Sequence, residues 1–169
     1  MTRQDIITKL EHNKEVFKVV FSDLHENEYL WREKEGSWSL LEVLCHLLDE
    51  EKEDFRMRVR HVLETPQEHP PSIDPVGWVI QRDYQSQNFQ DKLKALLKER
   101  TTSIDWLRSL KDPKWNNEYQ HPKLGTQTAQ MYLENWLAHD YLHIRQINRI
   151  KYLYFKSCAK ASLGYAGTW

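Results

Sequence analysis

Apolar residues recur at three- and four-residue intervals through four stretches of the chain, the pattern of helices that bury one face. The first covers residues 3 to about 24, where Ile6, Leu10, Phe17, Val20, Phe21 and Leu24 share a side. Thr2 is placed to cap it, and Asp5 stands in the first turn, where an acid favours the helix dipole. The second runs from Ser39 to about Leu63, with Leu41, Leu44, Leu48, Phe55, Val59 and Val62 as its stripe. Ser39 and Glu42 spell a capping box, and Trp38 and Val43 can close a hydrophobic staple around it. The third spans about Phe89 to Leu110, capped by Asn88 and ended by Asp112-Pro113, with Phe89, Leu93, Leu96, Leu97, Ile104 and Leu107 facing inward. Thr126 is expected to cap the fourth, which continues to about Lys156.

The connections differ in length and chemistry. Residues 26–37 are polar and contain Gly36, whereas residues 64–87 carry Pro66, Pro70, Pro71 and Pro75, which rule out a continuous helix. Asp74-Pro75 is expected to open a short helix bearing Trp78, Val79 and Ile80. So long a connection with apolar residues reads as a lid or binding loop. A second loop, residues 114–125, holds Trp115, Tyr119 and His121, and a tail from Ala159 is expected to pack back through Leu163, Tyr165 and Trp169. The architecture that follows is all-α: a four-helix bundle forming one domain over residues 1–169, with a long irregular connection between helices 2 and 3.

Composition narrows the function classes. A net charge of −1, with no extended basic run, disfavours nucleic acid as a partner. The first ten residues lack the apolar core of a signal peptide, and no apolar run is long enough to cross a membrane. The two cysteines, Cys45 and Cys158, do not make a disulfide framework, so the expected compartment is the cytoplasm.

Candidate chemistry centres on His139 and His143. Four residues apart on a helix, they share one face, and Tyr132, Trp136, Gln146, Ile147 and Ile150 fall in the same arc of roughly a quarter-turn. Imidazoles on a core-facing stripe need a polar partner, because burying them unpaired is costly. A divalent metal is one such partner and needs a third ligand from elsewhere. His46 is the best placed. It lies mid-helix, nearly opposite the apolar stripe and on the side of Val43, Asp49, Glu50, Glu53 and Met57, facing either solvent or a polar cleft. Asp49, Glu50 and Asp140 are candidates for a proton acceptor or for a group supporting the ligands. The pattern is not the zincin H-E-x-x-H, since position 140 is Asp where a zincin has its Glu. A structural histidine pair and a solvated acidic face are the alternatives that spacing leaves open. Cys45 reads as a small packed residue, and His12, His25, His61, His69 and His121 show no readable arrangement.

Two motifs carry a family resemblance. Trp38-Ser39-Leu40-Leu41-Glu42-Val43-Leu44-Cys45-His46-Leu47-Leu48-Asp49-Glu50-Glu51 resembles the second-helix signature of the DinB/YfiT-like superfamily, and His139-Asp140-Tyr141-Leu142-His143-Ile144-Arg145-Gln146-Ile147 resembles its fourth-helix signature. The tail Leu163–Trp169 is similar to some members. The resemblance implies an up-down-down-up bundle in which His46, His139 and His143 bind Zn²⁺ or Ni²⁺. It implies two activities, transfer of a low-molecular-weight thiol (bacillithiol, mycothiol or glutathione) and metal-dependent hydrolysis, and pairing as a homodimer. The reading that follows is a thiol S-transferase acting on a small molecule. A hydrolase using metal-bound water is the alternative, and a non-catalytic metal-binding bundle is the competing class. Trp78 and Trp115 are expected to shape an apolar pocket over the metal.

Overall fold

Helix α1, Arg3–Val20, begins where Thr2 Oγ1 accepts from the Asp5 amide at 3.1 Å and the Asp5 carboxylate accepts from the Thr2 amide at 2.8 Å. It stops a turn before Leu24, because Asp23 takes a left-handed φ of 54° and redirects the chain. A single helical turn, Glu26–Tyr29, follows. The second rod has three parts: α2 (Leu40–Asp49), a π-helical segment (Glu50–Phe55) and α3 (Arg56–Glu64). Its start is the expected capping box, with Ser39 Oγ accepting from the Glu42 amide and the Ser39 amide donating to Glu42 Oε2 at 2.7 Å. Helix α4 is Phe89–Ser109 and α5 is Ala129–Cys158. The computed structural model describes residues 1–167.

Contacts along the rods give their directions. Glu11 pairs with Arg108 and Phe21 packs on Phe89, so α4 runs antiparallel to α1. Lys151 donates to the Val20 carbonyl and Gln130 accepts from Arg3, so α5 runs parallel to α1. The second rod meets α4 in parallel, through Glu51 with Arg100 and Arg56 with Ser103, and both α1 and this rod pack against α4 and α5. The first and second rods therefore lie diagonally across the bundle, the up-down-down-up arrangement.

The core has two apolar clusters. One gathers Phe17, Phe21, Leu40, Leu44, Phe89, Leu96 and Ile147, and the other Ile6, Leu10, Phe55, Val59, Leu107, Leu133 and Trp136. Between them lies a polar layer. Arg100 stands 5.7 Å from the Phe17 ring centroid and 5.9 Å from that of Trp136, one residue from each cluster. It is fully enclosed, with Glu51 and Asp140 beside it.

Three features depart from the helical pattern. Residues 118–128 form a hairpin of β1 (Glu118–His121) and β2 (Gly125–Thr128), with His121 paired to Gly125. Gly125 has φ 71°, the left-handed geometry that lets a three-residue loop close, and His121 Nδ1 accepts from the Lys123 and Leu124 amides. Thr126 thus lies in a strand, and Thr128 caps α5 by accepting from the Met131 amide at 3.0 Å. The long connection contains the expected short helix, Trp78–Gln81, but it is tied down rather than free to act as a lid. Trp78 and Tyr84 are buried in the first cluster, and Arg82 is paired to Asp49 and Glu53. The tail does not pack through Tyr165, which is fully exposed, although Leu163 is half-buried. Trp169 lies outside the described residues.

Candidate metal centre

The π segment and α5 meet where the three histidines converge. His46 projects from the last turn of α2, and His139 and His143 project from successive turns of α5. One nitrogen from each lies within 4.8 Å of the others, and His46 Nε2 is 3.3 Å from His139 Nε2. Ligands about 2.0–2.1 Å from a tetrahedral ion stand about 3.3 Å apart, so the His46–His139 separation is that of two ligands around one ion, with His143 near enough to join them. Among the described residues, Nδ1 of His46 and Nδ1 of His143 are buried without a hydrogen-bond partner, as is Nε2 of His61 away from the site. Orphaned buried imidazole nitrogens are rare where nothing satisfies them. The donor set fits a divalent metal.

Electrostatics prepare the same chemistry. Burial, reinforced by the neighbouring imidazoles, pushes His46 down to about 3 and His139 down to about 2, and burial also lowers His143. All three are neutral at physiological pH, the form that binds metal. Burial drives the neighbouring Cys45 thiol up to about 12, so this residue is an inert packed group, as its sequence position suggested.

The three acidic candidates have different surroundings. Asp140 is completely buried, facing away from the imidazoles into the polar layer, where it accepts from Arg100 at 2.6 and 2.8 Å and from Asn13 at 2.9 Å. Asp49 is held by Arg82 at 2.7 Å and by the Tyr84 hydroxyl, which donates at 2.6 Å. Glu50 alone approaches the histidines, its Oε2 lying 3.6 Å from His139 Nε2. Burial raises its carboxyl to about 8, with the nearby Asp54 charge adding to the shift.

Several residues at the site lacked an obvious signal in the sequence. A cavity of about 420 Å³ opens onto His46 and His143 and is walled by Glu33, Ser37, Trp38, Gln146, Arg149 and Ile150. The Trp38 ring, 4.9 Å from that of His46, supplies the aromatic wall. Trp78 and Trp115, expected in that role, are buried in the two apolar clusters instead. Trp38 was visible only as a staple residue, and Gln146 only as a member of the histidine face. Arg100 had a clearer signal: a charge four residues from Leu96 and four from Ile104, at a core position of its helix. Glu51 had none, because its inward aim depends on the π turn.

The sequence profile of the DinB superfamily matches residues 9–147. No curated protein sequence matches the chain. Among solved structures, the chain is similar to YfiT from Bacillus subtilis, described as a probable metal-dependent hydrolase with an unusual four-helix bundle topology. The two are 19% identical and superpose with a TM-score of 0.77 over 88% of this chain and 85% of the other. At that identity the likeness establishes the four-helix fold, and the profile match establishes the family. This chain belongs to the DinB superfamily.

Proposed function

We propose that the chain is a metal-dependent enzyme in which His46, His139 and His143 hold Zn²⁺ or Ni²⁺, and that it transfers a low-molecular-weight thiol to a small electrophilic substrate. The observation that carries the reading is the convergence of three neutral imidazoles beside an open cavity, a donor set that leaves a coordination position for a substrate. A divalent ion held there would act as a Lewis acid, favouring the deprotonated form of a thiol or water molecule bound to it. The protein's own groups supply the rest. Trp38 and Ile150 form apolar walls of the cavity beside the histidines, and Gln146 offers an amide for orientation. The Glu50 carboxylate, its ionised form favoured by a divalent ion held nearby, is positioned to take up the proton that the thiol gives up, with Asp54 adjoining it. The thiolate sulfur then forms a bond to the electrophilic carbon as the leaving group departs.

Hydrolysis is the second reading. It is favoured by Glu50, whose carboxylate, ionised beside a bound ion, would equally take a proton from water, and by the description of YfiT. The same proposal assigns the chain to the cytoplasm, on its charge balance and two unlinked cysteines, and to a homodimer. Tyr141 and Leu142, exposed on α5 beside the histidines, give such a dimer an apolar contact.

Metal-loaded protein incubated with glutathione, bacillithiol or mycothiol and monochlorobimane should form the thioether, and His143→Ala should abolish turnover. Thiol-independent, metal-dependent cleavage of ester or amide panels would favour hydrolysis instead. Stoichiometric metal without either activity would mean a non-catalytic module.

A further inference from the structure

The cavity beside His46 and His143 carries a matched pair of opposite charges that the proposed chemistry does not use. Arg149 Nη1 and Nη2 donate to Glu33 Oε2 and Oε1 at 2.8 and 3.0 Å, a two-pronged fork, and both residues line the cavity wall. Arg149 comes from α5 and Glu33 from the connection before α2, so the pair joins two separate segments of the cavity wall. It is also well solvated, with side-chain exposures of 45% and 38%. An ion pair this exposed contributes little to folding, so a ligand can take over its partners at small cost.

We propose that this pair recognises a ligand head group carrying both charges on one carbon, an α-amino acid: its carboxylate to Arg149 and its ammonium to Glu33. The inference rests on the thiol-transfer reading of the same site. A ligand with one charge would leave either Arg149 or Glu33 without its partner, whereas a zwitterion satisfies both. The cavity's size falls within the range of small-ligand sites. Its length is set by α5. Arg149 follows His143 by six residues, about 9 Å along the helix axis. The occupant is therefore a thiol whose amino-acid head lies several bonds from its sulfur, rather than on the adjacent carbon as in free cysteine. Between the two ends, Gln146 and Ser37 offer polar contacts and Trp38 and Ile150 apolar ones.

Three thiols test the pair. Glutathione has the head group complete; glutaryl-Cys-Gly lacks its ammonium, and 4-aminobutyryl-Cys-Gly lacks its carboxylate. Titrated into Co²⁺-loaded protein, each is followed by its thiolate-to-cobalt charge-transfer band. Glutathione should bind more tightly than either analogue by up to about fivefold, the loss expected for one contact to so exposed a charge. Glu33→Gln should erase the discrimination against glutaryl-Cys-Gly alone, and Arg149→Gln that against 4-aminobutyryl-Cys-Gly alone. Cobalt affinity, measured in parallel, separates loss of a head-group contact from damage to the site. Equal binding of the three thiols, or a ranking that both variants preserve, would overturn the inference and leave the thiol reading standing. Absence of the band with every thiol, cobalt being bound, would overturn both.

Discussion

Replacing Arg100 with Met tests the polar layer that joins the two halves of the core. The arginine is enclosed on all sides, donating to both Glu51 oxygens at 2.9 and 2.8 Å, to both Asp140 oxygens at 2.6 and 2.8 Å and to the Leu10 carbonyl at 3.0 Å. Methionine fills much of the volume but leaves two buried carboxylates. Only the Trp136 indole N–H, at 2.9 Å from Glu51, and the Asn13 amide remain as partners. Breaking a buried ion pair from one side costs about 3–5 kcal/mol, a large part of the ~5–15 kcal/mol that stabilises a typical domain. For a chain of this length that lowers the melting temperature by about 6–20 °C. The triple variant Glu51→Leu, Arg100→Met, Asp140→Leu removes the charges together and should be more stable than Arg100→Met alone. Urea and thermal denaturation at pH 7.5 measure both. A loss below about 1 kcal/mol for Arg100→Met, or a triple variant worse than the single, would refute the reasoning. Asp140 adjoins His139 and Glu51 adjoins Glu50, so Arg100→Met should also weaken metal binding.

Further outcomes follow from the histidines and their neighbours. His46 and His139 are lowered from 6.5 to about 3 and about 2, so below pH 6.5 the unfolded chain takes up protons that the fold refuses. The metal-free protein should accordingly lose stability on acidification from pH 6.5, by at most about 1.4 kcal/mol per pH unit for each histidine, read by thermal melts. Glu50 acts in the opposite sense, since a carboxyl raised from 4.5 to about 8 favours the fold at low pH and loses that advantage as pH rises. Glu50→Gln should therefore stabilise the metal-free protein at pH 8.5 by on the order of 1 kcal/mol and steepen its acid-side loss. A variant no more stable than the parent at that pH would contradict the burial argument. Trp38→Ala should leave metal stoichiometry intact while raising the KM for the substrate that the metal-loaded protein turns over, because the ring walls the cavity; an unchanged KM would remove Trp38 from it.

The helix ends and faces were legible because their determinants are local. Thr2, Ser39 with Glu42, and Asn88 cap the helices they were expected to cap, and the pairing of His139 with His143 needs only the 3.6-residue repeat. What escaped depends on contacts between distant segments. A regular helical wheel puts His46 on a polar side, yet every residue from Leu40 to Leu48 is buried, because Trp78 and Tyr84 from the long connection pack on α2 and Trp38 covers His46. The π turn from Glu50 to Phe55 turns adjacent acids inward to different partners, Glu50 toward His139 and Glu51 toward Arg100. Nothing in Glu-Glu-Lys-Glu-Asp-Phe distinguishes that wider turn from an exposed acidic α-helix. The hairpin was hidden because its strands are only four residues each, and Gly125 is their main local turn signal.

The proposed chemistry depends on three imidazoles binding one divalent ion. Elemental analysis and calorimetric titration of untagged protein with Zn²⁺ and Ni²⁺ test it most directly, with His46→Ala, His139→Ala and His143→Ala alongside. One ion per chain should bind, raising stability by about 2.7 kcal/mol at a hundredfold excess over Kd, and each variant should lose both effects. Less than about a tenth of an equivalent after loading, or binding that survives removal of any of the three histidines, would contradict it.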